Sequence, residues 1–422
     1  MIKNDLERLN EWWFTGKIRK ELSPPFKRHV FQRILKSLEE RQILLITGLR
    51  RIGKTTILYQ TIEKLLEKVK PENILYFSFD EAIYNVKEVL EVYEKYFLRK
   101  TFEEAGRIYI FFDEIQYAGD WSSIVKSFYD LYPNLKFYIS GSSTILLSKE
   151  ALEKLAGRFF SLEMKPLTFI EYLEMRKIGF KKIKHSPRRL EIYFQDYLRK
   201  AGFPEIVDWE NEERIREYIR NTVIDRIILR DLPVYFKTRD MLLLENIVKI
   251  ILSNPGAIIN INTLSRNLGK SKITVSNYIK FLESSLLIRS LSNYRPSIQA
   301  SSRKLRKYYP TTTSLIYAYS KEIFEKQYGK IIETYTVNTL NAKYYYRKGR
   351  KEIDIILKNK EIIPIEVKEK VQEKDIKKLR KIIKQINANK GIIISSNQKT
   401  KIENIEIIPV YLLEKATITN SK

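Results

Sequence analysis

The sequence predicts an α/β chain of several domains, and three observations lead there. A glycine-bearing loop, Gly48-x-x-x-x-Gly53-Lys54-Thr55, lies between an apolar run and a Leu/Ile-rich helix. A short helix, a glycine and a second helix with a basic outer side follow one another after Ile258. Near the C-terminus an aspartate and a Glu-x-Lys lie on successive short apolar runs, after a helical stretch that carries a glutamate.

Bulk properties narrow the classes. At 422 residues the chain is too long for one core, and roughly 150 residues per domain implies about three. Hydrophobic residues at 44% and aromatic residues at 12% exclude a disordered polypeptide. There is no cysteine, so disulfides, thiolate-bound zinc and thiol catalysis are excluded. The only histidines, His29 and His185, are far apart in sequence; a metal here is expected on oxygen ligands, as Mg²⁺ or Mn²⁺. No apolar run reaches the ~18 residues of a membrane helix. The opening MIKNDLERLNEWW has no apolar leader, so the expectation is a soluble cytoplasmic protein without a membrane partner. The formal net charge is +26, and between residues 266 and 310 ten Lys and Arg stand against one acid, Glu283. Clustered positive charge points to nucleic acid, DNA first, because Lys and Arg neutralise phosphates with release of counterions. The alternative is a surface charged only for solubility.

In the N-terminal third, Ile43 to Ile46 reads as a buried strand, followed by the glycine loop and a helix, the strand–loop–helix context that a P-loop requires. Gly48 and Gly53 let backbone N–H groups close around phosphates; Lys54 reaches the β- and γ-phosphates, and Thr55, followed by Thr56, offers a hydroxyl to Mg²⁺. A second apolar strand, RIYIFFDEIQ, ends in Asp113, expected to hold the Mg²⁺ shell, and Glu114, expected to polarise the attacking water. NILYFSF and KFYIS supply two more strands. Ser142, just past the latter, is either a nucleotide sensor or an ordinary turn serine. Arg158 precedes a fifth strand, as an arginine finger for a neighbouring subunit or as a surface arginine.

In the middle of the chain, Leu264 and Leu268 lie on a short helix that breaks at Gly269. Val275, Ile279 and Leu282 then follow a helical i, i+4, i+7 spacing. Lys272, Ser276 and Lys280, with Asn277 beside them and Lys270 just before, form an outer face of cations and hydrogen-bonding groups. LLIR and SNYRPS would form a wing. The pattern is that of a winged helix-turn-helix, suited to a DNA groove or serving as a spacer.

The C-terminal stretch reads helix (328 to 340, with Glu333), three strands (YYYR, EIDIILKN, EIIPIEVK), a charged helix and two more strands. Asp354 and Glu366 offer hard oxygens to Mg²⁺ or Mn²⁺, with the Val367 carbonyl as a further ligand. Glu366 and Lys368 fall on one side of a strand, so Lys368 can position or activate a water. Glu333 would complete the shell or orient Lys368. The order of elements is similar to the PD-(D/E)xK, restriction-endonuclease-like αβββαβ fold. The quartet is therefore a metal-dependent cutting site or a folded remnant of one.

GLRRIGKTT, FFDEIQ with Trp121 soon after, YISGSS and LAGRF together resemble a prokaryotic, largely archaeal, branch of the AAA+-type ATPases. These are P-loop NTPases of the ASCE class, with an additional strand between the two nucleotide motifs. The resemblance runs on through PLTFIEYL and AGFPEIV, with Ala201-Gly202 where the family usually has Gly-Gly. It implies a helical lid, ATP with Mg²⁺ as the nucleotide, Ser142 as the sensor and Arg158 as a finger that would need a homo-oligomer. It also implies a C-terminal nuclease-like domain. The expected divisions are 1–165 for the ATPase core, 166–240 for the lid, 241–312 for the winged helix and 313–422 for the nuclease-like domain. The expected function is ATP hydrolysis with DNA binding and metal-dependent phosphodiester cleavage, in DNA processing or defence. The alternative is a DNA-binding regulator or scaffold that does not cut.

Overall fold

The computed structural model describes residues 2–80, 84–142, 149–238, 240–295, 305–349, 351–358 and 361–419. The chain divides into two compact units, Met1–Lys165 and Pro166–Lys422.

The first unit is built on five parallel strands: β1 (Ile43–Thr47), β2 (Ile74–Ser78), β3 (Ile108–Asp113), β4 (Leu135–Gly141) and β5 (Phe159–Glu163). Their spatial order is β2-β3-β4-β1-β5, so β4 lies between the strand that enters the glycine loop and the strand that ends in Asp113. β1, β3 and β4 are buried along their whole length. Near-continuous apolar runs are what a parallel sheet covered on both faces demands. β2 is an edge strand, and the N-terminal segment closes it. The Asn10 side-chain amide donates to the Tyr76 carbonyl at 2.9 Å and accepts from the Tyr76 N–H at 2.7 Å, as a neighbouring strand would. The Trp12 and Trp13 indoles both donate to the Ile74 carbonyl.

In the second unit, nine strands form one sheet. They are β6 (Ile258–Ile259), β7 (Ile288–Asn293), β8 (Arg306–Pro310), β9 (Tyr344–Lys348), β10 (Lys351–Lys358), β11 (Ile362–Lys368), β12 (Gly391–Ser395), β13 (Thr400–Ile402) and β14 (Ile405–Pro409). Their order is β13-β14-β12-β11-β10-β9-β7-β8-β6. Helices Ile261–Asn267 and Lys272–Ser284 lie between β6 and β7; helix Tyr328–Thr339 precedes β9, and helix Glu373–Gln385 lies between β11 and β12. Leu379, Ile382 and Ile383 of the last helix pack on Ile353, Ile356, Ile393 and Ile405 of the sheet.

Two features were not legible as separate modules. β7 continues into the C-terminal strands: Ser292 and Asn293 pair in parallel with Tyr344 and Tyr345. The Tyr294 N–H donates to the Tyr345 carbonyl at 2.6 Å, and Asn293 and Arg347 exchange two hydrogen bonds. The helices of residues 166–240 share their packing with later segments of the same unit. Thr312 and Ser314 donate to the Ala201 carbonyl and Thr313 to that of Leu198, while the Glu414 carboxylate accepts the Phe169 and Ile170 N–H groups.

Candidate functional site

The glycine loop brings together residues from three strands of the first unit. Gly48 must be glycine: an added Cβ would lie 2.5 Å from the Met164 carbonyl oxygen and 2.6 Å from the Ile52 Cδ1. Gly53, at φ +95°, stands in the left-handed region and starts helix Lys54–Leu65. The buried Lys54 ammonium donates back to the loop, to the Leu49 carbonyl at 3.1 Å and that of Gly48 at 3.3 Å. Thr55 Oγ1 donates to Asp113 Oδ2 at 2.6 Å, and Thr56 sits half-buried beside it. The Arg28 guanidinium braces the loop from outside through the Ile52 and Lys165 carbonyls, both at 3.0 Å.

Asp113 is the hub. Tyr76 OH donates to its Oδ2 at 3.1 Å and Ser140 Oγ to its Oδ1. Burial, then the neighbouring Glu114 charge, push its carboxyl above the ordinary 3.8, against the pull of the Ser140 and Thr55 hydroxyls and Lys54. Glu114 has φ +50°, a left-handed backbone that a non-glycine residue adopts at a cost of about 1–3 kcal/mol. Gln116 holds its carboxylate through Nε2, while the Gln116 Oε1 accepts the Ser142 N–H at 3.2 Å. Thus Ser142 reaches Glu114 through Gln116, and it is Ser140 that touches Asp113. Arg158 forms a two-pronged pair with Asp130 at 2.7 and 3.0 Å within the same unit; this pair pulls the Asp130 carboxyl down to about 2. A hydroxyl and a carboxylate poised together, with a lysine and a glycine cradle beside them, fit a Mg²⁺-bound nucleotide.

The C-terminal quartet also comes together, in different company. Asp354 on β10 accepts the Val367 N–H at 2.9 Å. Glu366 on β11 is 1% exposed; its Oε1 receives Lys368 at 2.8 Å and Lys378 at 2.6 Å, and its Oε2 accepts no hydrogen bond. Burial, then Asp354, raise the Glu366 carboxyl, against Lys368 and Lys378. The Glu333 Oε1 accepts from Tyr309 OH at 2.6 Å, and its Oε2 pairs with Lys330 at 2.8 Å. Between these acids lies Lys307 of β8, 2% exposed, with its ammonium 2.8 Å from Glu352, 3.4 Å from Glu333 and 3.6 Å from Asp354. Burial would lower the Lys307 pKa, but Glu333, Asp354 and Glu352 reverse this and raise it above the ordinary lysine range. Among the described residues no group of three or more carboxylates or histidines is arranged to hold a metal ion. Both carboxylates of the expected donor set, Asp354 and Glu366, already face lysine ammoniums, Lys307 at 3.6 Å from the first and Lys368 and Lys378 at 2.8 and 2.6 Å from the second, which does not suit a divalent cation.

On helix Lys272–Ser284 the buried face is Val275, Tyr278, Ile279 and Leu282. Lys272, Ile273, Asn277 and Lys280 are exposed, whereas Ser276 is half-buried. Lys270 pairs with Asp240 at 2.8 Å. Of the other basic residues in this stretch, Lys307 is interior, and Arg303 and Lys304 lie outside the described residues, as does the end of the expected wing.

Sequence reasoning missed Ser140, Tyr76, Gln116 and Arg28 at the first site, and Lys307, Glu352, Lys378 and Tyr309 at the second. Ser140 left a signal, as a polar residue in an otherwise apolar strand must have a partner.

Residues 40–173 match the family model described as an AAA domain. Residues 191–324 and 328–413 match two models each described as a domain of unknown function. An uncharacterized protein of Haemophilus influenzae is 25% identical over 91% of this chain and 97% of its own length. One of Methanocaldococcus jannaschii is 29% identical over 88% and 84%. A protein of that archaeon described as ATP-binding is 23% identical over 43% of this chain and 55% of its own. The first unit is accordingly an AAA-type P-loop domain with a parallel sheet. No described helix is long and apolar enough to cross a membrane.

Proposed function

With an AAA-type P-loop domain as premise, we propose that the chain is an ATP-hydrolysing switch that binds DNA, and that its nuclease-like C-terminal region holds DNA without cutting it. The observation that carries the hydrolytic reading is the Thr55–Asp113 hydrogen bond with Glu114 adjoining it. Bound Mg·ATP supplies the electrophilic phosphorus and the cation that steadies its charge. Lys54 would hold the phosphates, Thr55 and Asp113 would hold the cation, and Glu114 would take the proton of the attacking water. Gln116 and Ser142 set where the Glu114 carboxylate rests.

DNA binding is supported by the net charge of +26 and by a helix that presents Lys272, Asn277 and Lys280 outward between a short helix and a strand pair, as a winged helix-turn-helix would. The non-cutting reading is supported by Lys307 among the carboxylates. Phosphate release measured with and without duplex DNA tests the proposal. Hydrolysis that DNA stimulates and that Lys54→Ala abolishes is expected; hydrolysis indifferent to DNA, with salt-independent binding, would sink it.

A second reading, metal-dependent cleavage, has one observation in its favour: the buried Glu366 Oε2 accepts no hydrogen bond. Incubating supercoiled plasmid and branched DNA with Mg²⁺ or Mn²⁺ separates the two. Cleavage by the wild type that is lost in Asp354→Ala would establish the second, and its fate in Lys54→Ala would show whether ATP gates it.

A further inference from the structure

We propose that the Lys307 ammonium serves as a built-in cation in the carboxylate cluster, standing where a divalent metal would stand and keeping the C-terminal site metal-free. The inference deepens the non-cutting reading and rests on it for its meaning.

Three carboxylates converge on one ammonium. Glu352 and Asp354 come from β10 and Glu333 from helix Tyr328–Thr339, at 2.8, 3.6 and 3.4 Å. Lys307 itself comes from β8, a strand paired with β7 and β6 and outside the expected nuclease-like segment. The acids are already matched by cations. Glu333, Glu352, Asp354 and Glu366 stand against Lys307, Lys330, Lys368, Lys378 and, at 3.9 Å from Glu352, Arg347, each acid within 4.0 Å of at least one of them. A divalent ion entering this cluster would meet a fixed ammonium at close range in a buried setting, where like charges repel strongly.

The converse also holds. A lysine 2% exposed is tolerated only with paired acids, and these acids keep their charge only beside a cation. The cluster needs one positive centre, and the chain provides it. The site is closed to a metal only while Lys307 stays in place. Taking its charge away should therefore leave a vacancy with a divalent ion's preferences among Glu333, Glu352 and Asp354.

The test is Mn²⁺ binding to nucleotide-free full-length protein, followed by electron paramagnetic resonance and by the shift in melting temperature. The proteins compared are the wild type, Asp354→Asn, Lys307→Met, Lys307→Arg and the double variant Lys307→Met/Asp354→Asn. Wild type and Lys307→Arg are expected to show no Mn²⁺ site dependent on Asp354. Lys307→Met should gain one, and Mn²⁺ at about a hundred times its Kd should raise its melting temperature by several degrees. The double variant should lose the gain. A wild-type Mn²⁺ site that Asp354→Asn removes would overturn the proposal, whether or not Lys307→Met folds. So would a Lys307→Met protein that folds without gaining a site, or one that melts early and is not restored by Mn²⁺. None of these readouts involves ATP or DNA. Failure of the switch reading, seen as hydrolysis indifferent to DNA, therefore stays distinguishable from failure of this one.

Discussion

Thr55 Oγ1 donates a hydrogen bond of 2.6 Å to Asp113 Oδ2 across the end of the parallel sheet, although 58 residues separate them in the chain. The pair marks where a cation would sit between the glycine loop and the third strand, and it places the adjoining Glu114 at the same opening. Replacing Glu114 by Gln keeps the shape and removes the proton acceptor. Turnover of ATP should fall by about 10²–10⁴-fold while nucleotide affinity is retained, as a phosphate-release assay beside a binding titration would show.

Ser140 is a better candidate than Ser142 for tuning the Asp113 charge. Its hydroxyl helps keep the Asp113 carboxyl ionised against burial and Glu114. Ser140→Ala should raise the Asp113 pKa and shift the acid limb of the kcat/KM profile toward higher pH. Ser142→Ala, whose contact with Gln116 is made by the backbone N–H, should leave that limb in place. Equal shifts for both would contradict the assignment.

Lys272 and Lys280 should each contribute a phosphate contact. Alanine at either would flatten the slope of log K against log salt by about 0.9 and weaken binding across all sequences alike. Lys270→Ala should change the slope less, because Lys270 is paired with Asp240. Fluorescence anisotropy over a salt series reads all three.

The carboxylate cluster carries a pH signature. Asp354 is held below its ordinary 3.8: burial works against this, but Lys307 foremost, then Lys368, overcome it. A lowered carboxylate contributes stability that is present above 3.8 and lost as pH falls through its depressed value. The raised Lys307 contributes below its ordinary 10.5 and loses this only at more alkaline pH. The raised Glu366 acts in the opposite sense, weakening the fold as pH climbs past 4.5. Lys307→Met should destabilise the second unit by about 3–5 kcal/mol near neutrality, since it leaves buried charge uncompensated. The gap from wild type should narrow below about pH 4. Melting curves across that range would show it; a gap independent of pH would mean packing, not charge, is what Lys307 supplies.

Glu414 offers a stability test away from both sites. It is buried and accepts the Phe169 and Ile170 N–H groups at 2.8 and 2.9 Å, and Tyr335 OH at 3.1 Å. Glu414→Ala leaves two first-turn donors of helix Phe169–Met175 unpaired and should cost about 3 kcal/mol, with Glu414→Gln costing less. Denaturant unfolding of the two variants would rank them.

What was legible in the sequence was what local pattern records. The apolar runs at 43–46 and 108–112 and the glycine spacing point to Thr55, Asp113 and Glu114, and the structure brings Thr55 onto Asp113 with Glu114 adjoining. Period-two alternation likewise put Glu366 and Lys368 on one side of a strand, and the Lys368 ammonium lies 2.8 Å from Glu366 Oε1. Lys307 was lost for a physical reason. In RKLRKYYP a lysine among other cations reads as a solvated face, and its acids lie 26 to 47 residues further on, beyond the reach of any local periodicity. The pairing of Ser292 with Tyr344 was hidden in the same way, since no turn joins those strands. Arg158 looked free for a neighbour because Asp130, its partner, lies 28 residues back, with a strand and a helix between them.

The junction of β7 with β9 also decides how this polypeptide can be divided. One matched family segment ends at 324 and the next begins at 328, yet that seam in the alphabet is not a seam in the fold. A fragment starting at 328 would carry β9 with the backbone of Tyr344 and Tyr345 bare. It would also carry Glu333, Glu352 and Asp354 without the ammonium they share. Such a piece should be sticky along one side and overcharged within, and should aggregate or stay unfolded when expressed alone. The two segments belong to one compact unit, which begins at residue 166.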